Sequence, residues 1–367
     1  MVNGPAGETS MIPTLSVAAA ELAEMQAAAG ATFSAIAGRS IPASFGNDAL
    51  AGRALRTGVA LTDRSHWGLL EFSGPDRLDY LHNQTTNDMK ALQPGSGCDT
   101  AIVTPTARLV DLATAYATEE TVLLLVSPQR RATACTWLKR LIPFSNARVE
   151  DVGDRQATFT VLGPQSDILL KTLELGDLVG QPYASHQQQE VAGTQVRVAA
   201  GSSLATHGYT FVVPYPGAAR LWQAIVAAGA VPTGAQVWEQ WRVQQGRPMP
   251  DSELTEEYNP LEAGLWHAIS FTKGCYIGQE TIARLDTYKG VKLQLWGIQL
   301  DTLAPVGTDI TLEGKRVGTL TSLTETEAGP FGLGYIRTKA GGVGLEVQVG
   351  ESRGTVVNIP YPTRERQ

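Results

Sequence analysis

Beyond Gly290 the sequence stops offering helices. The stretches "VKLQLWGIQL", "TDITLEGKRVGTLTSLT", "FGLGYIR" and "LEVQVGESRGTVVNIP" are short β-type runs separated by glycine-containing turns, the texture of a small β-barrel or sandwich rather than an α/β layer. Within them "EGK", residues 313–315, is placed as a tight hairpin. A chain of 367 residues also exceeds what one core ordinarily organises. A domain boundary is therefore expected near residues 286–290.

Ahead of that tail, strands and helices alternate. Strong helix formers run from Leu15 to Ala29, with Gly30 placed to cap the end. "GLLEFSGPDRLDYLHNQTTND" reads as a strand, a Ser-Gly-Pro turn and a helix that sets Leu78 and Leu81 on one face, with residues 83–88 as a loop. "TVLLLVSP" then "QRRATACTWLKRLIP" is a buried strand entering a helix capped by Ser127, with Pro128 in its first turn and Pro143 as its stop. "QATFTVLGP", "SDILLKTL", "TQVRVAAGS" and "HGYTFVVP" repeat the strand and helix texture. A further helix is placed from Thr233, where Gln236 completes a capping box, to Gly246 ahead of Pro248, with Trp238 and Trp241 sharing a core-facing side. The expected organisation is an N-terminal helical extension and lead-in over 1–54, a first α/β lobe over 55–150, a second over 151–288 and a C-terminal β-barrel over 289–367.

Composition removes several function classes. Net charge is −7 and the 29 basic residues are scattered, which leaves no electrostatic footprint for direct nucleic-acid binding. No apolar run nears the roughly 18 to 20 residues that span a membrane. Three cysteines, Cys98, Cys135 and Cys275, lack CxxC or Cys/His spacing, which argues against a disulfide framework or a self-contained zinc site. The chain is read as a cytoplasmic monomer; its Ala/Ser/Thr-rich start gives the alternative of a trimmed targeting segment and a plastid or other organelle lumen.

Chemistry concentrates in "FTKGCYIGQE", residues 271–280. A thiol acts as nucleophile, redox group or metal ligand only when ionised, and Lys273 two residues from Cys275 is expected to favour ionisation, while Gly274 and Gly278 let a loop expose the sulfur. Cys135, mid-helix near Leu138, is read as packing. Asp111 stands in a strand-like run, where a carboxylate is either paired or functional. Arg242 offers a fork suited to a ligand carboxylate or to a structural ion pair. The carboxylates from Asp251 to Glu257 are read as a solvated loop, and His66, His82, His186, His207 and His267 as ordinary core or surface residues.

Residues 273–280, Lys-Gly-Cys-Tyr-Ile-Gly-Gln-Glu, resemble the K-G-C-Y-x-G-Q-E signature of the YgfZ family, folate-binding relatives of the glycine-cleavage T-protein. "LTDRSHWGLLEFSGPDRLDYLHNQTTNDMKALQPG" and "NPLEAGL" extend the likeness across about residues 55–360. The resemblance implies an α+β, GcvT-like three-lobed arrangement: two ferredoxin-like α/β lobes and a C-terminal β-barrel around a central folate pocket. It implies an accessory factor for assembly or repair of iron–sulfur enzymes, including tRNA-modifying radical enzymes, without turnover of its own. Cys275 would be the functional thiol or a ligand of a transient shared iron–sulfur cluster, tuned by Lys273, with cluster carriers or client enzymes as partners. Asp111, Arg242, Glu262, Tyr276, Gln279 and Glu280 would contact tetrahydrofolate or another folate, or shape the loop. The alternative is a tetrahydrofolate-dependent aminomethyltransferase of T-protein type. Against it, "SLATHGYTFVV" places Thr206 where T-proteins carry the glutamate that grips the pterin.

Overall fold

Two apolar strands, Gly68–Ser73 and Gln156–Leu162, each lead into a glycine at positive φ, Gly74 (93°) and Gly163 (131°), followed by a proline and a short helix. Neither glycine can carry a side chain: a Cβ on Gly74 would stand 2.1 Å from the Asn146 carbonyl oxygen, and one on Gly163 2.5 Å from that of Gly58. In the computed structural model, which describes residues 17–366, these turns open two copies of one element order. Short 3-10 turns aside, each copy runs strand, helix, three strands, helix, strand.

The first copy forms a five-stranded antiparallel sheet ordered Gly97–Val103, Leu109–Ala117, Thr121–Val126, Gly68–Ser73, Arg148–Asp151. The second forms a six-stranded sheet ordered His186–Val191, Thr194–Ala200, Gly208–Pro214, Gln156–Leu162, Ala60–Asp63, Val231–Thr233, in which only the last pair is parallel. Residues 60–63, which the sequence division groups with the first lobe, therefore lie inside the second sheet. The N-terminal segment is more than helical: the hairpin Thr32–Ile36 with Arg39–Ser44 follows the helix Val17–Ala28, whose Ala19 and Leu22 enter the second lobe's core. Leu15 and the stretch read as a targeting segment lie outside the described residues.

Leu293–Leu300, Gly329–Arg337, Lys315–Thr326, Asp309–Leu312, Glu346–Val349 and Ser352–Val357 close a six-stranded antiparallel barrel. Its hairpin turns at Glu313 and Gly314, both at positive φ, where the sequence places it. Two caps differ from expectation. The helix Ala235–Gln245 starts after Gly234, because Thr233 still belongs to an edge strand and its hydroxyl donates to the Val231 carbonyl instead of capping. Ser127 leads into a 3-10 turn, Pro128–Arg130, before the helix Arg131–Lys139, and its hydroxyl caps neither. The helix Tyr215–Ala227, absent from the sequence reading, buries Ala218, Leu221, Trp222 and Ile225 at helical spacing.

A single carboxylate couples the second lobe to the barrel. Glu253, fully enclosed, accepts from Arg242 Nη1 (3.0 Å) and the Met249 amide (3.1 Å) on the lobe side, and from the Thr321 (2.7 Å) and Ser322 (2.6 Å) hydroxyls on the barrel. The solvated loop expected over residues 251–257 thus hides one buried acid, while Asp251 remains exposed and pairs with Arg130. Removing one member of a buried ion pair strands the other. Glu253→Ala is expected to destabilise the protein by about 3–5 kcal/mol, read from the denaturant midpoint; a change under about 1 kcal/mol would show that the clamp is not formed.

Candidate functional site

Arg64 follows the strand Ala60–Asp63, so an arginine is delivered where the chain leaves an apolar sheet. It helps line a cavity of about 250 Å³ together with His66, Trp67, Trp238, Arg242 and Met249. Trp67 and Trp238 meet edge-on with centroids 5.9 Å apart. The Arg64 guanidinium lies 3.7 Å over the Trp67 ring, and that of Arg247 lies 4.8 Å from it. Arg64 Nη1 donates to the Thr160 and Ser203 hydroxyls and the Ser202 carbonyl, whereas Nε and Nη2 have no partner. Burial, then the like charge of Arg247, bring Arg64 down to about 9. Burial followed by Arg64 and Arg39 brings His66 down to about 3, so this imidazole is neutral at any physiological pH.

Asp111, on the strand Leu109–Ala117, is completely buried; it does not line the chamber but holds the amide of Ser127, the chain neighbour of the lining residue Pro128. Its Oδ2 accepts the Ser127 amide at 2.9 Å, its Oδ1 has no partner, and burial raises its pKa while Ser127 and Arg247 oppose the rise. A second acid, Asp99, escaped the sequence reading. It accepts from the hydroxyls of Thr114 (2.6 Å), Tyr183 (2.8 Å) and Tyr361 (3.4 Å), with His267 Nε2 at 3.6 Å. Burial alone would raise Asp99, but the bonds from His267, Thr114 and Tyr183 outweigh it and hold the carboxyl low. The phenols of Tyr116, Tyr183 and Tyr361 feel both Asp99 and Arg64, and burial raises all three above the ordinary tyrosine value.

Two expected folate contacts are engaged elsewhere. Arg242 is buried between Glu239 and Glu253; burial lowers its pKa, but those carboxylates outweigh burial and raise it, so its fork is occupied. Glu262 is buried and accepts the Asn259 amide at 3.2 Å, its pKa raised by burial. The sequence signals that could have singled out the chamber are Arg64, out of pattern at the end of an apolar strand, and Arg247, pinned between a helix-ending glycine and Pro248.

The cysteine motif docks on the first lobe, not the second. Gly278 adopts φ 82°, and a Cβ there would stand 2.9 Å from the Thr104 carbonyl oxygen. The Ile277 amide donates to the Asn83 carbonyl at 3.1 Å. Lys273 is buried, and its ammonium donates to the carbonyls of His82, Thr85 (2.8 Å) and Asn87 (2.7 Å), just where the helix Arg77–Gln84 ends. It thereby satisfies carbonyls that the helix leaves open. Burial brings Lys273 down to about 8, with Asp88 and Cys98 acting the other way. Its charge serves that helix end, so the expectation that Lys273 tunes Cys275 is replaced by an anchoring role. Tyr276 packs under it, 4.7 Å from ring centroid to Nζ, Gln279 opens the helix Gln279–Thr287, and Glu280 is exposed and pairs with Arg284.

Cys275 itself is exposed. Cys135 is buried in the first lobe's core, as read from sequence, and Cys98 is pushed up to about 12 by burial and then Asp99. Among the described residues no group of three or more His, Cys, Asp or Glu could hold a metal ion, so a cluster at Cys275 would need ligands from a partner.

The chain matches the GCVT N-terminal domain over residues 22–273 and belongs to that family. It is 44% identical over 326 residues to a chloroplastic protein of Arabidopsis thaliana that carries a transferase name, covering 88% of this chain and 76% of the relative. It is 28% identical over 352 residues to the aminomethyltransferase of Rubrobacter xylanophilus, covering 94% of each. Among solved structures it is similar to the glycine cleavage system aminomethyltransferase T of Bartonella henselae, with a TM-score of 0.82, 19% identity, and coverage of 94% of this chain and 98% of that one. The GcvT-like fold implied by the cysteine motif is therefore the fold observed.

Thiol exposure gives a direct check. A soluble alkylating reagent at neutral pH is expected to add one label to the folded protein, at Cys275, and three after unfolding. Labelling of Cys98 at a comparable rate in the folded state would contradict this burial pattern.

Proposed function

We propose that the chain is a tetrahydrofolate-binding protein of aminomethyltransferase type, with the chamber near Asp111 and its partner Ser127 as its site. The observation that carries the reading is the unpartnered Oδ1 of a buried, otherwise hydrogen-bonded carboxyl whose partner, Ser127, adjoins Pro128 in the lining of a cavity walled by two tryptophans. Full-length similarity to aminomethyltransferases supports it. The residues present fit a folate: flat aromatic faces at Trp67 and Trp238 suit a conjugated ring, and orphaned polar atoms on Asp111, Arg64 and Arg247 await partners. Tetrahydrofolate, when bound, supplies a ring nitrogen that accepts a one-carbon unit.

The chain's own groups do the rest. Burial keeps the Asp111 carboxyl protonated to higher pH than an exposed aspartate, so it can hold a proton at Oδ1 and release it as a general acid, while the Ser127 amide fixes its orientation. His66 stays neutral beside the Arg64 cation, and the tryptophan rings give the chamber a flat apolar wall. Thr206 takes the hydrogen bond of the Trp241 indole at 2.7 Å, so any pterin contact made by a glutamate in T-proteins falls here to other groups.

A second reading rests on a different observation, the exposure of Cys275 on an anchored loop. In this reading the protein is a YgfZ-type accessory factor that meets cluster carriers or client iron–sulfur enzymes through that thiol. A plastid location is favoured by the chloroplastic relative.

The readings separate by experiment. With an aminomethylated lipoyl carrier and tetrahydrofolate, a coupled assay is expected to show turnover that Asp111→Asn lowers by about 10²- to 10⁴-fold, and calorimetry is expected to show saturable tetrahydrofolate binding. No turnover and no binding would sink the transferase proposal. For the second reading, Cys275→Ala should fold normally yet fail to restore iron–sulfur enzyme activity in cells lacking the gene; full restoration would remove the thiol from the mechanism.

A further inference from the structure

A guanidinium taken out of water needs an anion or a full set of acceptors, because neither desolvation nor lost hydrogen bonds are otherwise repaid. Arg64 and Arg247 have neither. They are 1% and 2% exposed, share one tryptophan ring and repel each other. Among the described residues no carboxylate oxygen lies within 4.0 Å of either guanidinium. Arg64 Nε and Nη2 and Arg247 Nε have no acceptor, and Arg247 Nη1 finds only the Pro248 carbonyl at 3.1 Å and the Met249 sulfur at 3.0 Å. The other charged arginine on this cavity shows the contrast: Arg242 has two carboxylates.

The groups that could neutralise the pair from within the fold do not. Asp111 is held toward its neutral form by burial, and the three phenols are held neutral as well. Asp99 already serves three hydroxyls and His267. Arg64, with two orphaned nitrogens, thus lines a cavity that also offers an aromatic wall, and Arg247, with one, reaches the same Trp67 ring without lining the cavity itself.

We propose that Arg64 and Arg247 form a receptor for an oxyanion, a carboxylate or phosphate group of a small ligand entering the cavity over Trp67. Guanidinium forks bind such groups through paired, charge-assisted hydrogen bonds, and the orphaned Nε and Nη2 of Arg64 are adjacent donors of that kind. The site shares its cavity with the folate reading and does not require folate to be the occupant. The anion is either the glutamyl tail of a folate or a free anion bound beside a ring.

The test uses the full chain at constant ionic strength. Inorganic phosphate replacing chloride is expected to raise Tm saturably, and Arg64→Met or, independently, Arg247→Gln should weaken phosphate by about tenfold or more. In phosphate-free buffer Arg64→Met is expected to match or exceed the wild type in Tm, because an unpaired buried charge has been removed. Tetrahydrofolate and a tetrahydropterin lacking the glutamyl tail distinguish the sources. Competition of tetrahydrofolate with phosphate, while the tetrahydropterin binds together with phosphate, assigns the anion to the tail; simultaneous binding of phosphate and intact tetrahydrofolate assigns it to a free anion. Phosphate binding without folate binding keeps the oxyanion site and removes the folate reading. A wild type indifferent to phosphate, with equal affinity for tetrahydrofolate and tetrahydropterin, overturns the receptor and leaves the folate reading standing.

Discussion

The arrangement depends on one enclosed carboxylate. Glu253 is reached from the second lobe by Arg242 and from the barrel by two hydroxyls, so barrel and lobe are held by charge-assisted bonds that only one relative placement satisfies. That placement sets a wall of the cavity, since the helix Ala235–Gln245 contributes Trp238 to it and Arg242 to the clamp. Stacking of Tyr258 on Tyr335, with centroids 3.5 Å apart, and the bond from the Tyr335 hydroxyl to the Glu253 carbonyl extend the same seam.

The cavity is also a product of duplication in form. Two copies of one element order yield two sheets, and the strand Ala60–Asp63 is inserted into the second between its own first and last members. That insertion has no counterpart in the first sheet, and Arg64 and Trp67 follow directly from it. The feature that breaks the resemblance between the copies is thus the one that delivers the chamber's cation and its aromatic face.

Much of this was legible in the chain. Alternation and turn glycines marked Gly68–Ser73, Thr121–Val126, Gln156–Leu162, Thr194–Ala200, Gly208–Pro214 and the β texture of the barrel, and the eight-residue cysteine motif pointed to the family fold. Ala60–Asp63, Gly97–Val103, Arg148–Asp151, His186–Val191 and Val231–Thr233 were not read as strands. What escaped was long-range pairing. Glu253 looks like one acid in a hydrophilic loop, and only its contact with Thr321 and Ser322, almost seventy positions on, buries it. Asp99 is likewise defined by Tyr183 and Tyr361 from remote segments. Lys273 was misread for the opposite reason: proximity in sequence to Cys275 suggested a local effect, whereas a long flexible side chain found better acceptors on another helix. Spacing reports neighbours along the chain, and a lysine's reach exceeds them.

Those acceptors carry a consequence for the cysteine. An ammonium bound to three carbonyls pins the root of its loop to the end of a neighbouring helix, and swinging the loop away would break all three charge-assisted bonds at once. The sulfur is therefore a stationary outpost: whatever reacts with it has to travel, and encounters there are governed by the shape of the visitor rather than by movement of the host.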